Sequence, residues 1–167
     1  MSDSANATPH ESIRSVLVAI DFSACSRAAL SAAAEWAERL GACLDVVHVC
    51  SVPSFPLPPA IAGDQQVYEV LIERPRKQAE AILASFVESA SNSGIYVRKA
   101  LLEFGSVPHG ICELAERGGY DLLVVGTHGH SGFSRAVLGS VAEKVVRTAP
   151  CPVLTVHEPA AHPTLAA

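Results

Sequence analysis

Five stretches of the chain have the length and the apolar content of buried β-strands. Four of them are almost continuously apolar, which is typical of strands in a parallel sheet that is covered on both faces. The third alternates between apolar and polar positions, so we expect it at an edge of the sheet. The predicted strands are SVLVAI (15–20), LDVVHVC (44–50), IYVRKALLE (95–103), DLLVVG (121–126) and PVLTVH (152–157).

Helical patterns separate these strands, and most of them carry signals for a helix start or a helix end. The predicted helices are 24–40 between Ser23 and Gly41, 67–91 with a kink or restart at Pro75, one from Ser106 to Gly118 and Gly119, and one that begins at Ser140. Their apolar faces are predicted at Ala29, Ala33, Trp36 and Leu40, at Ile82, Leu83, Phe86 and Val87, and at Val141, Val145, Val146 and Ala149. The proline-rich stretch 51–66 has no period and is predicted to be a surface loop.

Strands that alternate with helices predict an α/β fold, here a single-domain open parallel five-stranded sheet with helices on both faces. A common arrangement has strand order 3-2-1-4-5, in which the chain reverses direction between strands 1 and 4. Ligands of such sheets bind beyond the carboxyl ends of the strands at that switch point. The sequence therefore indicates where a ligand site is expected.

Composition supports one domain with a large core. The chain has 167 residues, of which 49% are hydrophobic and 17% are charged, with a formal net charge of -5. The negative charge argues against a nucleic-acid-binding surface, although backbone N–H groups can still bind a small anion locally. No apolar run is long enough to predict a membrane span.

Cysteine use and the first residues bear on the compartment. The five cysteines form no C-x-x-C pair, so we expect free thiols in a reducing cytoplasm. The polar N-terminus has no apolar signal-peptide core. These features predict a cytoplasmic protein.

The predicted switch point brings together a carboxylate and a glycine-rich loop. Asp21 follows strand 1, and Gly126 ends strand 4 at the start of GTHGHSGFSRAVLGS. Gly126 and Gly129 let the backbone turn and approach a ligand closely. Ser140 and Glu143 fit a capping box, whose helix start suits phosphate oxygens. We interpret the loop as one that wraps a phosphate chain, with Asp21 near a metal ion; a tight turn, a simple helix start and a turn role for Asp21 are the alternatives.

Other polar residues of the loop admit several roles. His128 and His130 suit a loop or a phosphate-adjacent role better than a metal site, because no matching cysteine or carboxylate cluster accompanies them. Arg135 either contacts phosphate or is solvated. No histidine is placed next to a nucleophile in a way that indicates a Ser-His-Asp triad.

From residue 13 to residue 157 the chain resembles the universal stress protein family. The resemblance rests on VLVAIDFSACSRAAL, on GSVPHGICELAERGGYDLLVVGTHG and on GSVAEKVVRTAPCPVLTV. The ATP-binding branch of that family has the pattern G-x2-G-x9-G-[ST], which Gly126, Gly129, Gly139 and Ser140 match. The resemblance implies a Rossmann-like, adenine nucleotide alpha hydrolase-like fold that binds ATP, with Asp21 near the ribose or near a bound metal ion, Mg²⁺ or Mn²⁺. The implied nucleotide-binding residues are Ala19, Asp21, Val49, Val125, Gly126, His128, Gly129, His130, Gly139, Ser140 and Val141.

The resemblance also bears on affinity, assembly and function. His130 stands where many members have Lys or Arg, and Ala142 where some have a hydroxyl, so we expect weaker phosphate contacts at both positions. The family pairs through its last strand, which predicts a homodimer through Val153 to Val156. Residues 1–12 and 158–167 are expected to be flexible tails. A nucleotide-dependent sensor or regulator of a stress response is the first hypothesis; a slow metal-dependent ATPase or nucleotidyl-transfer enzyme and a nucleotide-free dimeric interaction module are the alternatives.

Overall fold

The predicted sheet is confirmed. The computed structural model describes residues 12–51, 64–129 and 138–158. All strand pairs are parallel and the strand order is β3-β2-β1-β4-β5, so β3 lies at an edge as its alternating pattern predicts. The strands are β1 (Ser15–Ile20), β2 (Cys43–Cys50), β3 (Lys99–Phe104), β4 (Leu122–Gly126) and β5 (Val153–Val156).

Helices cover both faces of the sheet. They are α1 (Ala24–Leu40), α2 (Gln65–Tyr68), α3 (Arg74–Asn92), α4 (Val107–Gly118) and α5 (Ser140–Thr148), with a π-helical turn (Glu69–Glu73) between α2 and α3. Alternate residues of β1 point to opposite faces: Val16 and Val18 pack with α1 and α3, and Leu17 packs with α4 and α5. This two-sided burial explains why the strands read as continuous apolar runs.

The helix-end signals are mostly confirmed. The Ser23 side chain accepts from the Ser26 N–H at the start of α1, and Gly41 ends that helix in the left-handed conformation with a φ of 65°. Pro75 lies in the first turn of α3, and the boundary residues Glu69, Glu73 and Arg74 are all helical, so the predicted long helix continues through the π-helical turn rather than restarting. Proline has no N–H and its ring crowds the carbonyl of residue i−4. The π-helical turn stands immediately before that position.

Several predicted inward faces are wrong. Trp36 and Leu40 of α1 are 44% and 42% exposed, and Ile82 of α3 is 44% exposed. In α1 the small side chains of Ala29 and Ala33 are fully buried and leave the larger residues outside. Small residues let a helix approach a sheet closely, so the bulky residues of the same pattern turn outward. In α5, Val145 is buried, whereas Val141 and Val146 are largely exposed.

A buried carboxylate stabilises the amino-terminal side of the sheet. Asp45 of β2 is fully buried and accepts from Arg98 Nε at 2.9 Å and from the Tyr120 hydroxyl at 2.7 Å. Burial raises the pKa of Asp45, but these hydrogen bonds outweigh burial and hold the pKa below its usual value. Burial, together with the hydrogen bond to Asp45, raises the pKa of Tyr120 to about 12.

Several sequence-based calls lie outside the described residues. They concern 1–11, 52–63 of the predicted surface loop, His130 and Arg135 of the glycine-rich loop, and 159–167. In the described ranges, no helix combines the length and the apolar character that crossing a bilayer requires.

Candidate functional site

The carboxyl ends of β1 and β4 meet beside a cavity of about 310 Å³. Asp21, directly after β1, and Gly126, the last residue of β4, both line it. The cavity lies where the sheet order reverses, which is where open α/β sheets bind ligands. Its lining residues are Ala19, Ile20, Asp21, Ser26, Val107, Ile111, Val125, Gly126, Thr127, His128, Gly129, Gly139, Ser140, Val141 and Ala142.

The first turn of α1 fixes the Asp21 carboxylate. The Ser26 hydroxyl donates to Asp21 Oδ1 and accepts from the Asp21 N–H at 2.8 Å. The Ser23 N–H also donates to Asp21 Oδ1, at 3.1 Å. These contacts place one oxygen of the carboxylate in the helix cap, so Asp21 has the turn role that the sequence left open as well as a place in the cavity wall.

A strained residue follows Asp21. Phe22 has a φ of 67°, in the left-handed region that non-glycine residues rarely adopt. Its ring packs on His48 and Phe86, with ring centroids 4.4 Å and 5.6 Å away. His48 in turn donates from Nδ1 to the Ile20 carbonyl at 2.9 Å. Packing on both sides of the ring therefore holds the turn that carries Asp21 out of the sheet.

The three glycines of the motif allow close contacts between segments of the protein. A Cβ at Gly126 would lie 2.9 Å from Cys25 Sγ, and one at Gly139 would lie 2.9 Å from the Thr127 carbonyl oxygen. A Cβ at Gly129 would collide with Asp21 Oδ2. None of the three has a φ in the left-handed region. The glycines therefore bring the loop against α1 and Asp21 rather than supplying a left-handed turn.

Thr127 connects β4, β5 and the start of α5. Its N–H donates to the Val156 carbonyl at 2.9 Å, and its own carbonyl accepts from the Gly139 N–H at 2.8 Å. The Thr127 side chain is 1% exposed, and its Oγ1 lies 3.0 Å from His128 Nδ1 and 2.8 Å from His157 Nδ1. A hydroxyl donates only one hydrogen bond, so at most one of the two Nδ1 atoms accepts from it and the other donates to it.

The predicted capping box at the start of α5 is wrong. Gly139 occupies the cap position, its carbonyl accepts from the Glu143 N–H at 2.9 Å, and Ser140 is the first helical residue. The cap residue has no side chain, because a Cβ at Gly139 would lie 2.9 Å from the Thr127 carbonyl oxygen. The N–H groups of Ser140, Val141 and Ala142 have no acceptor within the helix, as at any helix start. All three residues line the cavity, so this end of α5 offers donors and partial positive charge to an anion.

Most residues of the predicted nucleotide-binding set lie together. The described members that line the cavity are Ala19, Asp21, Val125, Gly126, His128, Gly129, Gly139, Ser140 and Val141. Val49 is not among the described lining residues. It is buried, and a Cβ added at Gly110 of α4 would lie 3.1 Å from Val49 Cγ1. His130 lies outside the described residues.

Six lining residues are absent from the predicted nucleotide-binding set: Ile20, Ser26, Val107, Ile111, Thr127 and Ala142. Val107 and Ile111 are four residues apart at the start of α4, on one helical face. Their spacing and the predicted position of α4 beyond strand 3 were the available signals. Thr127 lies within the glycine-rich motif, but the motif does not indicate that its hydroxyl contacts His157 beyond β5.

The donor set for a metal ion is small. In the described part of the chain, no group of three or more His, Cys, Asp or Glu side chains is placed to hold one. Asp21 is the only carboxylate among the described lining residues of the cavity. One carboxylate suits Mg²⁺, which proteins commonly hold through one or two carboxylates together with phosphate oxygens and water.

Known proteins are similar to this chain over most of its length. The model of the universal stress protein family matches residues 12–157. A Staphylococcus haemolyticus protein named as a universal stress protein is 33% identical over 146 residues, 86% of this chain and 84% of that protein. A universal stress protein of Methanocaldococcus jannaschii is 32% identical over 146 residues, 87% of this chain and 83% of that protein.

Solved structures show the same similarity. UspA from Lactobacillus plantarum has a TM-score of 0.70 at 26% identity, over 86% of this chain and 97% of that one. A universal stress protein in complex with cAMP has a TM-score of 0.60 at 27% identity, over 87% of this chain and 98% of that one. The Archaeoglobus fulgidus universal stress protein in complex with dAMP has a TM-score of 0.55 at 25% identity, over 86% of this chain and 97% of that one. The chain belongs to the universal stress protein family.

Proposed function

We propose that this protein binds ATP in the β1–β4 cavity and acts in the cytoplasm as a nucleotide-dependent sensor or regulator of a stress response. The observation that carries the proposal is the convergence of Asp21, the glycine-rich loop and the start of α5 on one cavity. Similar proteins in complex with cAMP and dAMP support an adenine nucleotide as the ligand.

The phosphate chain is assigned to the start of α5. Ser140, Val141 and Ala142 supply backbone donors, and Gly129 and Gly139 let the loop stay close to the cavity. A triphosphate uses more of these donors than a monophosphate does, which favours ATP. His128 and the predicted contact from His130 add donors on the loop side.

The adenosine part is assigned to the apolar wall. Ala19, Val125, Val107 and Ile111 line the cavity on the side of the strands and of α4. The predicted backbone contact from Val49 would extend that wall toward β2. Asp21 is placed for the ribose or for Mg²⁺ or Mn²⁺, because it is the carboxylate at the cavity.

A regulatory role accounts for the chemistry better than rapid turnover does. Among the described lining residues only Asp21 and His128 could act as a base toward water, and we assign both to ligand contacts rather than to catalysis. A regulator needs two states with different affinity for the nucleotide. We further propose that two chains pair through β5, whose described neighbour in the sheet is β4 alone.

The experiment is calorimetric titration with ATP in the presence and absence of Mg²⁺. Asp21→Asn keeps the size of the side chain and removes its charge, so we expect the Mg²⁺-dependent part of the affinity to disappear. Asp64→Asn is the matched control, because Asp64 caps α2 and asparagine caps as well. Equal Mg²⁺ dependence in the wild type and Asp21→Asn would contradict the metal assignment, and no binding to the wild type would contradict the function.

A further inference from the structure

A second and larger cavity lies between α1 and α3. Its volume is about 610 Å³, compared with about 310 Å³ for the β1–β4 cavity. Volumes of about 300–1,000 Å³ are typical of small-molecule sites. The two cavities share none of their described lining residues. The larger one is therefore not an extension of the proposed nucleotide site.

The cavity follows α3 as a groove, whereas α1 contributes only Arg27, Leu30 and Ser31 to its described lining. Both helices return from the carboxyl ends of their strands, so they run in the same direction on one face of the sheet. The residues of α3 that line it recur every three to four positions from Gln78 to Ser89, and Ser93 follows at the helix end. At 1.5 Å per residue this span is about 22 Å. A groove of this shape fits an extended chain better than a compact ring system.

The floor of the groove is apolar and its rim is polar. Leu30 and Ala90 are buried members of the core, and Phe86 packs against that core. Ile82 also lines the groove and is 44% exposed. Exposed serines such as Ser85 and Ser89 border it.

Among the described residues that line the groove, Arg27 is the only charged one. The Arg27 guanidinium donates to the Phe22 carbonyl at 3.2 Å, and within the described ranges it forms no ion pair. Arg27 lies in the first turn of α1, so the cation stands at one end of the groove. An unpaired cation at the end of an apolar groove is complementary to an anion with an apolar tail.

We propose that this groove binds one monomeric straight-chain fatty acid. Its carboxylate pairs with Arg27, and its alkyl chain lies along Leu30, Ile82 and Phe86. The guanidinium has donors beyond the one used for Phe22, so it can hold the carboxylate without breaking that contact. Binding covers the exposed Ile82. This site is independent of the proposed nucleotide function.

The first test is a chain-length series by calorimetry, with octanoate, decanoate and dodecanoate below their micelle concentrations. Affinity should rise by roughly fourfold for each methylene that the groove buries. Dodecanol serves as the uncharged comparator. A series without length dependence, or absence of saturable binding, would overturn the proposal.

Two pairs of variants locate the ligand. Arg27→Gln should weaken dodecanoate by about fivefold and leave dodecanol unchanged, whereas Arg39→Gln on the same helix should change neither. Ser89→Trp fills the groove and should abolish both, whereas Ser91→Trp, on another side of α3, should not. Far-ultraviolet circular dichroism checks that all four variants fold.

The remaining outcomes count against a fatty acid. Binding that survives Ser89→Trp would place the ligand elsewhere. Binding to phospholipid vesicles without binding to monomeric dodecanoate would indicate a membrane contact instead. A change of sedimentation in Ser89→Trp, with no carboxylate bound by the wild type, would make the groove an interface between copies of the chain.

Discussion

Oγ1 of Thr127 lies 2.8 Å from Nδ1 of His157, and this contact joins the end of β4 to the end of β5. The same hydroxyl lies 3.0 Å from Nδ1 of His128, which lines the proposed nucleotide site. One buried hydroxyl thus connects the site to the strand through which we expect two chains to pair.

Thr127→Val removes that hydroxyl and keeps the shape of the side chain. We expect the free energy of unfolding to fall by about 1–3 kcal/mol, because the hydroxyl is buried and its partners lose a hydrogen bond. Thr127→Ser keeps the hydroxyl and should recover most of the loss. Urea denaturation measures both; an unchanged midpoint in Thr127→Val would show that the network contributes nothing to stability.

Tyr120→Phe tests the buried carboxylate of β2. Loss of the hydroxyl removes a hydrogen bond to charged Asp45, so we expect a cost of about 1–3 kcal/mol at neutral pH. Tyr96→Phe is the control, because Tyr96 is 81% exposed. A Tyr120→Phe protein as stable as the Tyr96→Phe protein would contradict the assignment.

The alkaline stability profile gives a second test of Tyr120. Its folded pKa is raised to about 12 from 10.0, so the proton is held more tightly in the folded state. The resulting stability is fully present below pH 10.0 and is lost as the pH rises toward about 12. Tyr120→Phe should lack this loss. Unfolding midpoints measured from neutral pH into this range compare the two proteins.

Asp45 should affect stability at the acid end. Its folded pKa lies below the unfolded value, so its contribution is present above about pH 4 and is lost as the pH falls through the folded pKa. We expect Asp45→Asn to be less stable than the wild type at neutral pH and to lose less stability on acidification. Parallel acid profiles of the two proteins would contradict this.

The fold was predictable because its signals are local and repeated. Continuous apolar strands, the caps at Ser23 and Gly41 and the glycine at the end of α4 each depend on a few neighbouring residues. The inward face of α1 was predicted only in part, because Ala29 and Ala33 are buried whereas Trp36 and Leu40 of the same predicted stripe are exposed. How much of such a stripe faces the sheet depends on how closely the helix approaches it, which the local sequence does not give.

The position of the site was predictable, but its internal contacts were not. The alternation of strands and helices predicts the strand order, and that order places Asp21 and Gly126 at the same switch point. The glycines are required for contacts within the protein: a Cβ at Gly126 would crowd Cys25 Sγ, and a Cβ at Gly139 would crowd the Thr127 carbonyl oxygen. Such contacts join residues that are far apart in sequence or in different segments, and no local pattern encodes them. The same holds for the bond between Thr127 and His157.

Gly129→Val tests the close approach of the loop to Asp21. A Cβ there collides with Asp21 Oδ2, and the branched side chain also enters the cavity. We expect ATP binding to be lost while the thermal midpoint changes little, because Gly129 is exposed. Retained affinity would contradict the site assignment; collapse of the fold would show that the loop has a structural role.

Thr155→Pro tests the proposed dimer. Val156 and Pro152 offer their carbonyls to β4, so by alternation the N–H of Thr155 points away from β4. Proline there removes a donor from the free edge and leaves the pairing with β4 intact. We expect monomers by sedimentation velocity, whereas Thr155→Val should still form dimers. A monomeric wild type would contradict the dimer itself.

The central claim is that the cavity between β1 and β4 holds ATP. Its most direct test is a mass spectrum of the small molecules released when the purified protein is denatured, followed by calorimetric titration of ligand-free protein with ATP and Mg²⁺. We predict recovered ATP, or one site per chain with a dissociation constant in the micromolar range, about −8 kcal/mol. A protein that releases no nucleotide and does not bind ATP at millimolar concentration would contradict the claim and favour a nucleotide-free interaction module.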